Sequence, residues 1–270
     1  MAVAVAAVEE AARAGNDAVQ ARRFHIPDSR FPMSMTLDEL VAQLQKVYGT
    51  KLRSVVLYGS AAAGEHIPKR SDYNILVIVD ELTMQHLRTG AAVARAWGEE
   101  GNPPPLTLTL DEWRGSSDIF PMEYADILER HRVLYGSPPF DGIAVERRNL
   151  RLQLEHEAMG KLLKLRQGVL ASGGDPKAQI ELLAASLSTI MVIFRAAERM
   201  HEAVPSTDYE RLSREVAQRM GFNAEPFVRV VRHVRGTEKI GSSDVSTVLA
   251  GYLDGMYQLV SYLDRYQPES

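Results

Sequence analysis

The sequence predicts an α+β fold, in which a mixed sheet flanked by helices is followed by a C-terminal α-helical bundle. Two observations carry that expectation. In the first half, "LRSVVLYGS" and "DYNILVIV" are β-branched apolar runs too short for core helices and bounded by turn residues. After about Ala144 strand patterns stop, and long helical stretches follow one another to the C-terminus. The expected division is an N-terminal arm (1–35), a sheet domain (36–143) and a helical bundle domain (144–270).

Taken in order, "MAVAVAAVEEAARAG" has no basic residue ahead of its apolar run and meets Glu9 and Glu10 at once, so it reads as an amphipathic arm and not a signal sequence. Thr36 with Glu39 forms a capping box, and Leu37, Leu40, Val41, Leu44 and Val47 continue at helical spacing to Gly49. The two apolar runs then read as strands buried on both faces. Thr83 caps a helix over about 84–97, closed by Gly98 and Gly101. After "NPPP", "LTLTLDEW" alternates as a third strand, while "LDEWRGSSDIFPMEY" has the look of a capped helix start. Glu123 and Asp126 share a face of the helix in "FPMEYADILERH", an exposed face with Arg130 as local partner.

Four helical stretches make the bundle, at about 147–171, 177–201, 207–235 with a break near Gly221, and 243–266. Leu152, Met159, Leu162, Leu163, Arg166, Val169 and Leu170 define a broad stripe on the first, expected to face the core. Leu182 to Phe194 is apolar nearly all round, and at that length it is a buried core helix, well short of a membrane span.

With 270 residues, 45% hydrophobic, the chain can bury a core without staples, and with no cysteine it has no disulfide, thiolate zinc site, iron–sulfur cluster or cysteine nucleophile. A reducing compartment, the cytoplasm, is the expected location. A net charge of −4 argues against bulk nucleic-acid binding. The charge is uneven: residues 147–235 carry 15 Lys/Arg against 10 Asp/Glu, a hint that one half could hold an anion. The seven histidines show no metal-ligand spacing, and "GSAAAGEH" lacks the lysine that a Walker A loop needs. Arg195 and His201 have a spacing loosely associated with helical ribonucleases, which in an arginine-rich chain carries little weight.

The segment that points to chemistry is "VVLYGSAAAGEHIPKRSDYNILVIV". The first strand ends at Gly59 and Ser60, where free backbone N–H groups can hold phosphate oxygens; Lys69, Arg70 and Ser71 follow in a basic loop. Asp72 opens the second strand, and period-two alternation is expected to project Asp72 and Asn74 from one face toward the Gly59–Ser60 turn.

This pattern resembles the polymerase beta-type nucleotidyltransferase superfamily, whose signature is an apolar strand, Gly-Ser, about ten residues, then Ser-Asp-x-Asp in a second apolar strand. The resemblance covers roughly residues 36–140 and implies a nucleotidyltransferase-like sheet domain. It also implies two carboxylates that, with a third from a later strand, hold magnesium ions binding a nucleoside triphosphate. By the same resemblance Gly59, Ser60, Lys69, Arg70 and Ser71 bind nucleotide, and Asp72 and Asn74 take the metal and catalytic positions. The bundle is similar in layout to that of aminoglycoside and kanamycin nucleotidyltransferases. That similarity makes Glu155 and Glu157 candidate bases, against an ordinary role as solvated helix residues.

Two departures shape the functional expectation. Asn74 is a neutral amide where the family has its second carboxylate, so one of the charges that make magnesium shed water is lost. The third strand carries Thr107 and Thr109 where a carboxylate is sought, with Asp111 and Glu112 only at its end. The reading is a nucleotidyltransferase-fold protein with impaired catalysis, acting as a nucleotide-binding or interaction module, with a homodimer through the arm and bundle as one form. The alternative is an active magnesium-dependent enzyme moving a nucleoside monophosphate to a hydroxyl of a small molecule or protein. A third alternative is an antitoxin-like partner of a separate helical nuclease.

Overall fold

The computed structural model describes residues 35–62 and 72–267, which fall into two compact units dividing between Ala144 and Val145. The arm expected over residues 1–35 lies, but for Met35, outside the described residues. So do Lys69, Arg70 and Ser71.

The first unit opens with α1 (Leu37–Tyr48), where Thr36 and Glu39 form the expected reciprocal cap. A short 3-10 turn leads into β1 (Leu52–Tyr58). β2 (Asn74–Val79) pairs antiparallel with β1. α2 (Met84–Glu99), capped by Thr83, carries the chain across to β3 (Leu106–Thr109), which lies parallel to β2, as a crossover connection permits. α3 (Leu110–Gly115) and α4 (Pro121–Glu129) precede β4 (His131–Gly136), antiparallel to β1 on its other edge. The strand order β3-β2-β1-β4 makes a mixed sheet. Leu40, Leu44, Tyr48 and Trp97 pack with Val55, Leu57, Ile75, Val77 and Val79 into one core. Val56, Leu76 and Ile78, which alternate with these, are also fully buried, so the central strands are covered on both faces.

β4 was not expected from the sequence. "HRVLYG" is only half-buried and begins with two polar residues, so its alternation is weak, and pairing with β1 is what makes it a strand. Its last residue, Gly136, has φ +75°, and a Cβ there would stand 1.9 Å from the Arg53 carbonyl oxygen. Only glycine lets the two strands approach this closely.

The second unit is a bundle of α5 (Arg147–Ser172), α6 (Pro176–Met200), α7 (Tyr209–Met220), α8 (Glu225–Arg235) and α9 (Val245–Arg265). The expected break near Gly221 divides α7 from α8, with Gly221 in the left-handed region closing α7. α6 touches each of the other four helices. By length and composition this 25-residue helix could cross a membrane, but much of it is buried in the bundle, with Phe194 set among Phe222 and Phe227. The stripe expected to face the core from α5 is divided by the structure. The buried face holds Leu150, Leu154, Ala158, Leu162 and Leu165, whereas Leu152, Met159, Leu163 and Leu170 are exposed. Seven residues of mixed spacing on a helix that is apolar on two sides read as one stripe, and only packing against α6 and α9 separates them.

Candidate functional site

At the end of β1, Gly59 takes φ +77°, a conformation that turns the chain out of the sheet and that side chains with a Cβ rarely adopt. Its N–H donates to the Arg130 carbonyl (3.0 Å), and its own carbonyl accepts from Ala62 (3.1 Å). The N–H groups of Ser60 and Ala61 have no backbone acceptor among the described residues. They leave this turn with donors suited to an anion. Asn74 pairs directly across from Tyr58, and its Nδ2 lies 3.6 Å from where a Gly59 Cβ would stand. Asn74 is therefore at the Gly59 turn, as the alternation argument requires.

Asp72 is placed differently from the expectation. The ladder begins at Asn74, because the Tyr73 N–H donates to Asn102 Oδ1 (3.0 Å) instead of to β1. Asp72 lies ahead of the strand and is exposed, so the period-two rule does not fix its direction. The Tyr73 ring is held against Trp97, with 6.1 Å between centroids.

The third-carboxylate position is decided by register. β3 runs parallel to β2 from Leu76 opposite Leu106 to Val79 opposite Thr109, so the end of β3 lies five residues, about 16 Å, along the sheet from Asn74. Thr109 caps α3 and Glu112 closes that capping box, its Oε2 accepting from the Thr109 N–H at 2.7 Å. Glu112 is thereby committed to a helix end at the far side of the sheet. Among the described residues no three His, Asp or Glu side chains are grouped as a metal site. Asp72 with a neutral Asn74 does not fit a two-magnesium centre.

Tyr58 and α4 are residues that sequence reasoning did not attach to this site. Burial, followed by the negative charges of Glu123 and Asp126, pushes the Tyr58 phenol up to about 12. The two acids read as an ordinary exposed helix face thus bear electrostatically on the residue next to Gly59. The only signal in the sequence is the position of Tyr58 directly before the glycine, and the approach of α4 is a tertiary event.

In the second unit, Glu155 accepts from Arg151 Nη2 (2.6 Å) one turn away, the ordinary helix pairing weighed for it, and Glu157 lies half-buried on the same helix. The arginines behind the positive balance of residues 147–235 are largely paired. Arg229 bonds Glu238 and Asp244, Arg232 bonds Glu210, and Arg235 bonds Asp208. These pairs offset the charge within the bundle. Arg195 is buried, and His201 Nε2 shares a hydrogen bond with the Tyr262 hydroxyl (3.1 Å).

Neither a family model nor a curated protein matches the chain. Among solved structures, it is similar to spectinomycin adenyltransferase AAD(9) from Enterococcus faecialis, solved with ATP and spectinomycin. The TM-score is 0.53 at 13% identity, covering 81% of this chain and 98% of that one. The chain has a nucleotidyltransferase-like fold, an α+β sheet domain followed by helices.

Proposed function

We propose that this chain is a degenerate member of the polymerase beta-type nucleotidyltransferase superfamily, one that binds a nucleoside triphosphate at the Gly59–Ser60 turn without transferring the nucleotide. The observation that carries the reading is Asn74. It sits against Gly59, where the family pattern has its second carboxylate, and an amide brings an oxygen but no charge to a magnesium ion. The retained left-handed turn supports phosphate binding, with the basic pair Lys69 and Arg70 and the adjoining Ser71 as further contacts. Asp72 would hold whatever single magnesium accompanies the triphosphate. A second reading, active transfer to a hydroxyl of a small molecule or protein with Glu155 or Glu157 as base, is favoured by the likeness to an adenyltransferase solved with ATP and an acceptor.

Calorimetric titration with the four nucleoside triphosphates, with magnesium and then with chelator, tests both readings alongside a pyrophosphate-release assay. The proposal expects binding without pyrophosphate release, weakened in Asp72→Ala and made more magnesium-dependent in Asn74→Asp. Sustained pyrophosphate release by the wild-type protein would establish the second reading. No binding at millimolar triphosphate would refute both.

A further inference from the structure

The exposed face of α5 has an internal symmetry. Leu152, Met159, Leu163 and Leu170 are 52%, 42%, 48% and 82% exposed. At 3.6 residues per turn they fall within an arc of about 40° on a helix whose opposite side is already packed on α6 and α9. Their spacing of seven, four and seven residues is that of a helix–helix seam, and it reads the same in both directions about Lys161.

We propose that this face binds the same face of a second copy of the chain, as an antiparallel α5–α5 pair. A two-fold axis beside residue 161 sets Leu152 against Leu170 of the other copy and Met159 against Leu163, so that every apolar residue of the seam meets one. The flanks complement each other under the same operation. Glu155 and Arg166 lie on one side of the stripe at mirrored heights, and so do His156 and Gln167 on the other. Each copy's Glu155 therefore meets the other's Arg166, twice per dimer, and His156 meets Gln167. A parallel pair would instead set each flank against the partner's opposite flank, Glu155 by His156 and Arg166 by Gln167, and would forfeit both ion pairs. Within its own chain Glu155 also bonds Arg151, whose Nε donates to the Leu263 carbonyl of α9, so the contact with Arg166 of the other copy competes with that pairing.

The seam is about 27 Å long, short for a stable interface, and the dimer is accordingly one that forms in the micromolar range. Because the chain contains no cysteine, an introduced one is its only thiol. Sedimentation of the full-length protein from about 1 to 100 μM should show a monomer becoming a dimer. Leu163→Glu, at an exposed position, should remain monomeric with an unchanged helical circular dichroism spectrum. On mild oxidation, mixed Leu152→Cys and Leu170→Cys proteins should give a disulfide-linked pair, while Leu152→Cys alone should not, since its two copies stand about 27 Å apart. Glu155→Arg and Arg166→Glu should each weaken the dimer at least tenfold, and the double variant should restore it. A wild-type chain monomeric throughout that range overturns the proposal and leaves the stripe to another occupant. Self-linking of Leu152→Cys as readily as the mixed pair overturns the antiparallel arrangement and the proposal with it.

Discussion

Replacing Gly59 by alanine tests the turn on which the site is built. The left-handed φ of +77° is the main cost, because a Cβ there meets only Asn74 Nδ2 at 3.6 Å, an ordinary contact. Left-handed backbone in an L-residue costs about 1–2 kcal/mol, and asparagine pays less of it. Gly136 supplies the comparison. Its φ of +75° is nearly the same, but its Cβ would lie 1.9 Å from the Arg53 carbonyl oxygen and 2.9 Å from the carbonyl carbon, backbone atoms that move only if β1 and β4 part. Gly136→Ala should therefore lose more than about 3 kcal/mol, the strain plus lost strand pairing. The assay is urea unfolding followed by tryptophan fluorescence. Both tryptophans, Trp97 and Trp113, are buried in the sheet unit, so the signal reports that unit alone. Gly59→Ala should lower the midpoint by roughly 1 M or less, Gly59→Asn by less still, and Gly136→Ala by clearly more. Equal losses for Gly59→Ala and Gly136→Ala would refute the reasoning. A folded Gly59→Ala protein would then show, by triphosphate titration, whether a methyl group at the turn weakens binding.

Three further outcomes follow from the bundle. Tyr252 is fully buried, its hydroxyl 3.0 Å from Ser186 Oγ, which itself donates to the Leu183 carbonyl. Ser186→Ala should cost about 1–3 kcal/mol by stranding the phenol, Tyr252→Phe less, and the double variant less than the sum, read from unfolding at 222 nm. Arg219→Met should cost about 3 kcal/mol or more, because Glu198 is buried and receives two bonds from that guanidinium, whereas Glu198→Gln should cost less; the same unfolding signal measures both. Burial, then the Arg219 charge, lowers the His201 pKa, with Glu198 opposing and Arg147 adding to the effect. The unfolded chain then binds the proton more readily. The stability that neutral His201 contributes is intact above the ordinary histidine pKa and lost as pH falls through about 6.5, and His201→Gln should flatten the loss between about pH 7 and 5 in melts at stepped pH.

Much of the first unit was legible because its signals are local. A capping box involves residues three apart, so Thr36 with Glu39 and Thr83 could be read directly. The central strands are uniformly apolar because both their faces are covered. The Gly59–Ser60 turn and Asn74 were legible for a similar reason, since the turn ends one apolar run and Asn74 begins the next. What failed depended on partners distant in the chain. β4 exists through β1, Tyr58 senses Glu123 and Asp126 only because α4 packs near it, and the start of β2 moved to Asn74 because Asn102 captures the Tyr73 N–H.

By itself the sequence determined the α+β class, the order of most elements and the chemical oddity of Asn74, because periodicity, caps and residue types act within a few positions. The tertiary structure decided which side of α5 is core and which is exposed. Two apolar faces look alike until α6 and α9 cover one of them. It also decided that the end of β3, with the Thr109–Glu112 cap, lies about 16 Å along the sheet from Asn74, since parallel strand register is set by pairing across the sheet, which no local pattern encodes.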